Sequence, residues 1–253
     1  MRNLYEQGGY RIRMGWGEPG ARAARADVAV IVDVFSFSTS VCIAVERGME
    51  VFPFRWGGVE AQEFARENGA QLARGRLEAS KSNEPTSLSL SPANLLTREP
   101  VARLVLPSPN GSTIVEALRP TRVQILLGCL RNSRAVATFL NGPLQKGMAV
   151  SLIAAGERWE DGSLRPALED QLGVGSILAH LEDDGHGDSM SPEARLSSAA
   201  YRAVQEDTNS LLRHCVGGRE LESLGFSEDV SVACQLDVSA CVPRLIHGRF
   251  VAA

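Results

Sequence analysis

Residues 28–32 read Val-Ala-Val-Ile-Val, and four more short apolar runs follow: "EVFPF" (50–54), "ARLVLP" (102–107), "VQILLG" (123–128) and "MAVSLIAAG" (148–156). A strand with one wet face alternates apolar and polar residues, so an unbroken run has to be covered on both faces. Each run precedes a stretch of helical spacing: "STSVCIAVERG", "GGVEAQEFARENG", "GSTIVEAL", "NSRAVATFL" and "PALEDQLGVGSILAHL". Short buried strands alternating with helices of about ten residues predict an α/β chain, with a mainly parallel sheet between two helical layers. Nearer the start, "YRIRMGW" alternates and is expected as a half-exposed strand at the sheet edge.

A chain of 253 residues, 44% hydrophobic and 22% charged, can bury a full core as one large domain or two small lobes. Its net charge of −4, with Lys and Arg scattered, leaves no electrostatic footprint for nucleic acid or an anionic membrane, and neither is expected as a partner. The five cysteines are widely spaced without a C-x-x-C pair, which argues against a disulfide frame or zinc knuckle and fits a reducing cytoplasm. No apolar run approaches the ~18–20 residues of a membrane span, and "MRNLYEQGGYRIRMGWG" lacks the apolar core of a secretion signal. A cytoplasmic protein is therefore expected, with self-association as a homo-oligomer left open.

Two stretches break the alternation. Residues 75–100 are rich in Ser, Pro and Asn and are expected as a long loop able to reach over a site. Residues 182–193, "EDDGHGDSMSPE", are acidic and carry turn formers, as an exposed connector would.

In an open parallel sheet, ligands sit beyond the carboxyl ends of the strands, where helix N-termini present unpaired N–H groups. The turns there read "DVFSFSTS", "PSPNGSTIVEAL", "GCLRNSRAVA" and "AAGERWEDG". Ser and Thr in any one such turn are ordinarily helix caps. Together, Ser38, Thr39, Asn110, Gly111, Ser112 and Thr113, with the charge of Arg131 and the amide of Asn132, would suit a phosphate or another oxyanion. Asp33, which ends the first buried strand, is either a rim carboxylate or a helix cap. Glu169 and Asp170 follow Pro166 in the first turns of a helix, where the dipole also favours acids. All three are hard oxygen donors, and Mg²⁺ takes one or two carboxylates plus phosphate oxygens, so a magnesium site at Asp33, Glu169 and Asp170 is expected.

Familiar phosphoryl-transfer signatures are missing. A haloacid-dehalogenase-type start needs a second Asp two residues after the first, where Phe35 stands; a tyrosine-phosphatase loop needs Arg six residues after Cys129, where Ala135 stands. No G-x-x-x-x-G-K-[ST] occurs, and the four histidines show no metal-ligand spacing.

The order of motifs nevertheless resembles the 2-phosphosulfolactate phosphatase family, the ComB-like proteins of coenzyme M biosynthesis. That family runs an apolar strand into Asp-Val-Leu-Arg-Ala-Ser-Thr, then a Ser-Pro loop, an Asn-Gly-Thr turn, a Gly-x-x-x-Asn turn and a Glu-Asp-x-x-x-x-Gly helix. The chain has "VIVDVFSFSTS", "LSLSPANL", "SPNGSTIVEAL", "GCLRNSRAVA", "AAGE", "ALEDQLGVG" and "FSEDVSVACQLDVSACVP" in that order. The resemblance implies a three-layer α/β/α fold and magnesium-dependent hydrolysis of a small acidic phosphate monoester. It implies catalytic and metal roles for Asp33, Glu169 and Asp170.

Two departures stand out. Ser36 occupies the place of the family's arginine, and an acidic residue before Ser-Pro is lost within "PTSLSLSP". A missing guanidinium removes a bidentate contact worth about 1.5–3 kcal/mol. Arg131, Arg158 or Arg76 would have to supply that charge from another loop. Without one, a binder of small anionic metabolites that has lost the chemistry is the rival expectation, and a different phosphoryl or sugar-phosphate transferase is a second.

Overall fold

The computed structural model describes residues 4–81 and 87–253. Eleven strands form in chain order: β1 (Ile12–Trp16), β2 (Val28–Val32), β3 (Glu50–Phe54), β4 (Gln71–Leu72), β5 (Arg103–Pro107), β6 (Gln124–Gly128), β7 (Val150–Ala154), β8 (Glu157–Arg158), β9 (Leu164–Arg165), β10 (Pro243–Ile246) and β11 (Arg249–Ala252). Nine of them make one sheet in the order β1-β7-β2-β6-β10-β11-β3-β5-β4, and β8 and β9 pair separately. The blocks β1-β7-β2-β6 and β3-β5-β4 are parallel within themselves; β10 and β11 form an antiparallel hairpin that pairs antiparallel to both. The hairpin turns at His247 and Gly248, both with positive φ as a tight primed turn requires.

The helices are α1 (Gly17–Ala24), α2 (Phe37–Glu46), α3 (Val59–Glu67), α4 (Arg76–Ser80), α5 (Pro92–Thr97), α6 (Gly111–Leu118), α7 (Ser133–Gln145), α8 (Leu168–Leu181), α9 (Pro192–Val204), α10 (Thr208–His214), α11 (Val216–Ser223) and α12 (Ser227–Ala233). Strand β2 shows why three layers form. Val28, Val30 and Val32 join a core with α7, α8 and α9, while Ala29 and Ile31 face the opposite core with α1, α2 and α6. Among the described residues, no helix is long and apolar enough to cross a membrane.

Four strands separate β2 from β5 in the sheet, which would be about 24 Å if the sheet were flat. Yet Gly111, four residues beyond β5, packs on Phe37 at the start of α2. The sheet therefore curls around α2, and Phe37 lies edge-on to Phe250 of β11, with ring centroids 6.0 Å apart. That curl brings the turn after β5 to the end of β2.

Three expectations are modified. The edge position of β1 holds, but its first three residues are buried, not half-exposed. The segment 182–193 joins α8 to α9 with many residues exposed, but it runs in short helical turns, and Ile12 bridges to Met190, so it also covers the open edge of β1. The 75–100 stretch contains α4 and α5, with residues 82–86 of it outside the described residues.

Helix α8 sits unusually close to the sheet because of Gly173. A Cβ there would stand 2.6 Å from Val34 Cγ2 and 2.8 Å from Val32 Cγ1. Alanine is the better helix former by about 1 kcal/mol, but overpacking a core costs about 1–3 kcal/mol. Gly173→Ala is therefore expected to lower the denaturation midpoint, and adding Val34→Ala to recover part of the loss. A midpoint raised by Gly173→Ala would refute the close packing.

Candidate active site

Asp33 follows the last residue of β2. Its Oδ1 accepts the Phe37 N–H at 3.1 Å and its carbonyl accepts the Ser38 N–H at 3.0 Å, so it caps α2. The other carboxylate oxygen, Oδ2, is buried and has no hydrogen-bond partner. Asp33 is thus both cap and rim carboxylate. Burial, then the charge of Glu157, raises its pKa to about 7, against the pull of the Phe37 N–H, Arg76 and the Gly111 N–H.

Asp170, in the first turn of α8, reaches two turns at once. Its Oδ1 accepts the Val34 N–H at 2.7 Å and its Oδ2 the Gly156 N–H at 2.8 Å, which ties the end of β2 to the end of β7. Burial, with the charges of Asp33 and Glu169, holds its pKa well above the usual carboxylate range. Glu169 is also buried, and burial raises its pKa too. Its Oε2 accepts the Cys215 thiol at 3.5 Å, and the missing side chain of Gly217 leaves the room its carboxylate fills.

Glu157 was not singled out from the sequence, although it ends the "AAGE" turn. Its Oε2 accepts the Asn110 amide at 2.9 Å. It lines two clefts, of about 430 and 270 Å³, with Arg158 beside it in both. The larger is also lined by Phe35, Ser36, Arg76, Arg165 and Glu169. Three guanidiniums thus face a cleft next to the buried carboxylates. The smaller carries Asn110 and Thr113.

Arg76 meets the place of the missing arginine. Its Nη2 donates to the Phe35 carbonyl at 2.7 Å and to Ser36 Oγ at 3.2 Å. Its Nε lies 3.2 Å from Asp229 Oδ2 without the alignment of a hydrogen bond. Asp229 is itself buried and accepts the Ala93 N–H at 3.1 Å and the Ser91 hydroxyl. The acid of "FSEDVSVA" and the Ser-Pro motif thus position a guanidinium from α4. No sequence spacing announces this, because the three segments meet only in the fold.

The other expected anion donors serve the protein itself. Ser38 Oγ donates to the Ile31 carbonyl and accepts the Asp33 N–H; Thr39 Oγ1 donates to the Val34 carbonyl. Both residues are fully buried. Thr113 Oγ1 donates to the Pro109 carbonyl, while Ser112 Oγ is buried without a partner. Gly111 is needed for contact with Phe37, where a Cβ would stand 2.3 Å from the ring. Arg131 binds Gln235 and the Val232 carbonyl, and Asn132 donates to the Cys241 carbonyl at 2.8 Å. The turn after β6 therefore holds the C-terminal segment and lines neither cleft.

Among the described residues, no three His, Cys, Asp or Glu side chains converge as a metal site. Of Asp33, Glu169 and Asp170, Asp170 already accepts a backbone N–H at each carboxylate oxygen. Mg²⁺ needs only one or two carboxylates, the rest being water and substrate oxygens. The unpartnered Asp33 Oδ2 and the nearby Glu157, whose mutual repulsion a cation would relieve, fit that requirement.

Residues 18–248 match the family model described as 2-phosphosulpholactate phosphatase. Three similar proteins are each named "Probable 2-phosphosulfolactate phosphatase". One from Thermosynechococcus vestitus is 27% identical over 89% of this chain and 91% of its own length. One from Thermotoga petrophila is 25% identical over 88% and 91%, and one from Thermus thermophilus 26% identical over 91% and 92%. With its motifs in the family order and the match spanning nearly its whole length, the chain belongs to the 2-phosphosulfolactate phosphatase family of phosphoric monoester hydrolases.

Proposed function

We propose that the protein is a magnesium-dependent phosphatase that hydrolyses a small acidic phosphate monoester, with 2-phospho-3-sulfolactate as the substrate to test first and 3-sulfolactate and phosphate as products. The observation that carries the reading is a buried carboxylate oxygen with no partner, Asp33 Oδ2, beside a cleft that presents Arg76, Arg158 and Arg165. A substrate with a phosphate and further acid groups matches three guanidiniums better than a neutral one would. Arg76 stands at the departure at Ser36, which favours a phosphatase over a binder that has lost its chemistry.

Asp33 Oδ2 and Glu157 would hold the magnesium, which supplies neutralisation of phosphoryl charge when bound. Asp170 keeps the turns of β2 and β7 in register, so that Asp33 and Glu157 stay close. Arg76, fixed by Asp229 and the Phe35 carbonyl, orients an anionic group without moving far. In-line displacement by water then depends on positioning and electrostatics more than on covalent chemistry.

Asp33→Asn is expected to abolish phosphate release from a panel of phosphomonoesters. A carboxyl whose folded pKa, about 7, lies above its ordinary value of 3.8 stabilises the fold below the latter pH, and that contribution is lost as pH rises through about 7. Metal-free protein should therefore melt lower at pH 8 than at pH 5, and Asp33→Asn should narrow the difference. Activity surviving in the variant would reduce Asp33 to a helix cap.

The roles of Glu157 and Asp170 separate in a magnesium titration. Glu157→Gln is expected to raise half-saturating Mg²⁺ by roughly tenfold or more while the midpoint of unfolding holds. Asp170→Asn sets an amide donor against a backbone N–H and should cost about 1–3 kcal/mol of stability with little change in the Mg²⁺ requirement. Unchanged half-saturation in Glu157→Gln would move the metal elsewhere.

A further inference from the structure

A cavity of about 840 Å³ lies at the other end of the sheet from the candidate active site and shares no residue with the clefts there. It opens between α1, α6 and the amino ends of β2 and β6. Its apolar wall includes Ala29, Leu118, Met148 and Leu245. Around it stand Arg22, Arg25, Arg122 and Arg244, against the single carboxylate of Asp27. The chain carries more acidic than basic residues, 30 against 26, so four guanidiniums around one cavity run against its overall charge. Arg22 and Arg25 pair with half-buried carboxylates, Glu18 at 2.8 Å and Glu6 at 3.5 Å; Arg122 and Arg244 have no carboxylate partner among the described residues.

Two polar groups inside point to a ligand. Ser151 interrupts the apolar run of β7 and lines the cavity while only 2% exposed. Gln124, also on the wall, has a buried Nε2 with no hydrogen-bond partner. A buried amide donor left unpaired is costly in a native fold and calls for an acceptor from outside the chain, a water or a ligand.

We propose that this cavity is a second binding site, for a small organic anion that joins at least two negative charges to a flat apolar body. A nucleoside diphosphate is the ligand class of matching size and charge: its phosphates meet the arginines, its base lies on the apolar wall, and the Gln124 amide gains an acceptor. The volume falls within the ~300–1,000 Å³ usual for small-molecule sites.

Calorimetric titration of the full chain with ADP, in EDTA and with saturating inorganic phosphate to occupy the active site, tests the assignment. The expected result is one ADP per chain, insensitive to phosphate, and weakened roughly tenfold or more by Arg122→Ala with Arg244→Ala, each charge-assisted contact being worth about that factor. The same double variant should keep the wild-type melting temperature and phosphatase activity, since neither arginine lies near the catalytic cleft. Absence of binding at millimolar ADP would overturn the proposal. So would binding that phosphate displaces and the arginine variants leave unchanged, which would belong to the active site. A dimer that the double variant dissociates, with no ADP bound by the wild type, would assign the cavity to contact with a second copy instead.

Discussion

One buried carboxylate holds the candidate site in shape. Asp170 accepts the Val34 and Gly156 N–H groups from two turns that lie 122 residues apart in the chain, and both turns leave parallel strands that flank one another. Two loops at the end of a sheet would otherwise be free to move independently. With one acid at the start of α8 bonded to both, the positions of Asp33 and Glu157 become a property of the helix and the sheet. The close seating of α8, which Gly173 permits against Val32 and Val34, is what lets a short Asp side chain span that gap.

The arrangement of carboxylates is electrostatically unfavourable on its own. Asp33, Asp170 and Glu169 are all buried near one another, and each is pushed toward its protonated form chiefly by loss of water. A fold optimised for stability alone would not gather them. Under the proposed function, a cation and an anionic substrate would together complete the charge balance that Arg76, Arg158 and Arg165 begin.

Arg76 shows how a guanidinium can reach the Ser36 position from a different segment of the chain. The guanidinium arrives from α4 and is braced by Asp229 of α12, with Ser91 and α5 bracing Asp229 in turn. Three stretches far apart in sequence thus act on the Ser36 position. The curl of the sheet does the same for Asn110, which travels from the end of β5 to hydrogen-bond Glu157.

The α/β alternation, the burial of the strands on both faces, the edge place of β1 and the importance of the turns after β2 and β7 follow from the sequence itself, because apolar periodicity and strand-end chemistry are local. Asp33, Glu169 and Asp170 stand out in the sequence for local reasons too: the first follows an apolar run and the other two open a helix after Pro166. What a local pattern cannot contain is direction in space. Ser38, Thr39 and Asn132 have the composition of anion donors, yet the fold turns them onto nearby carbonyls, while Glu157 and Asp229 look unremarkable in the chain and Arg76, one of three arginines able to supply the charge at Ser36, is picked out only by the fold. The C-terminal hairpin between β6 and β3 was equally invisible, since a strand's partner depends on which edge lies open once the rest has packed. Sequence determined which residues are able to do chemistry; tertiary structure decided which of them still had an atom unpaired to do it with.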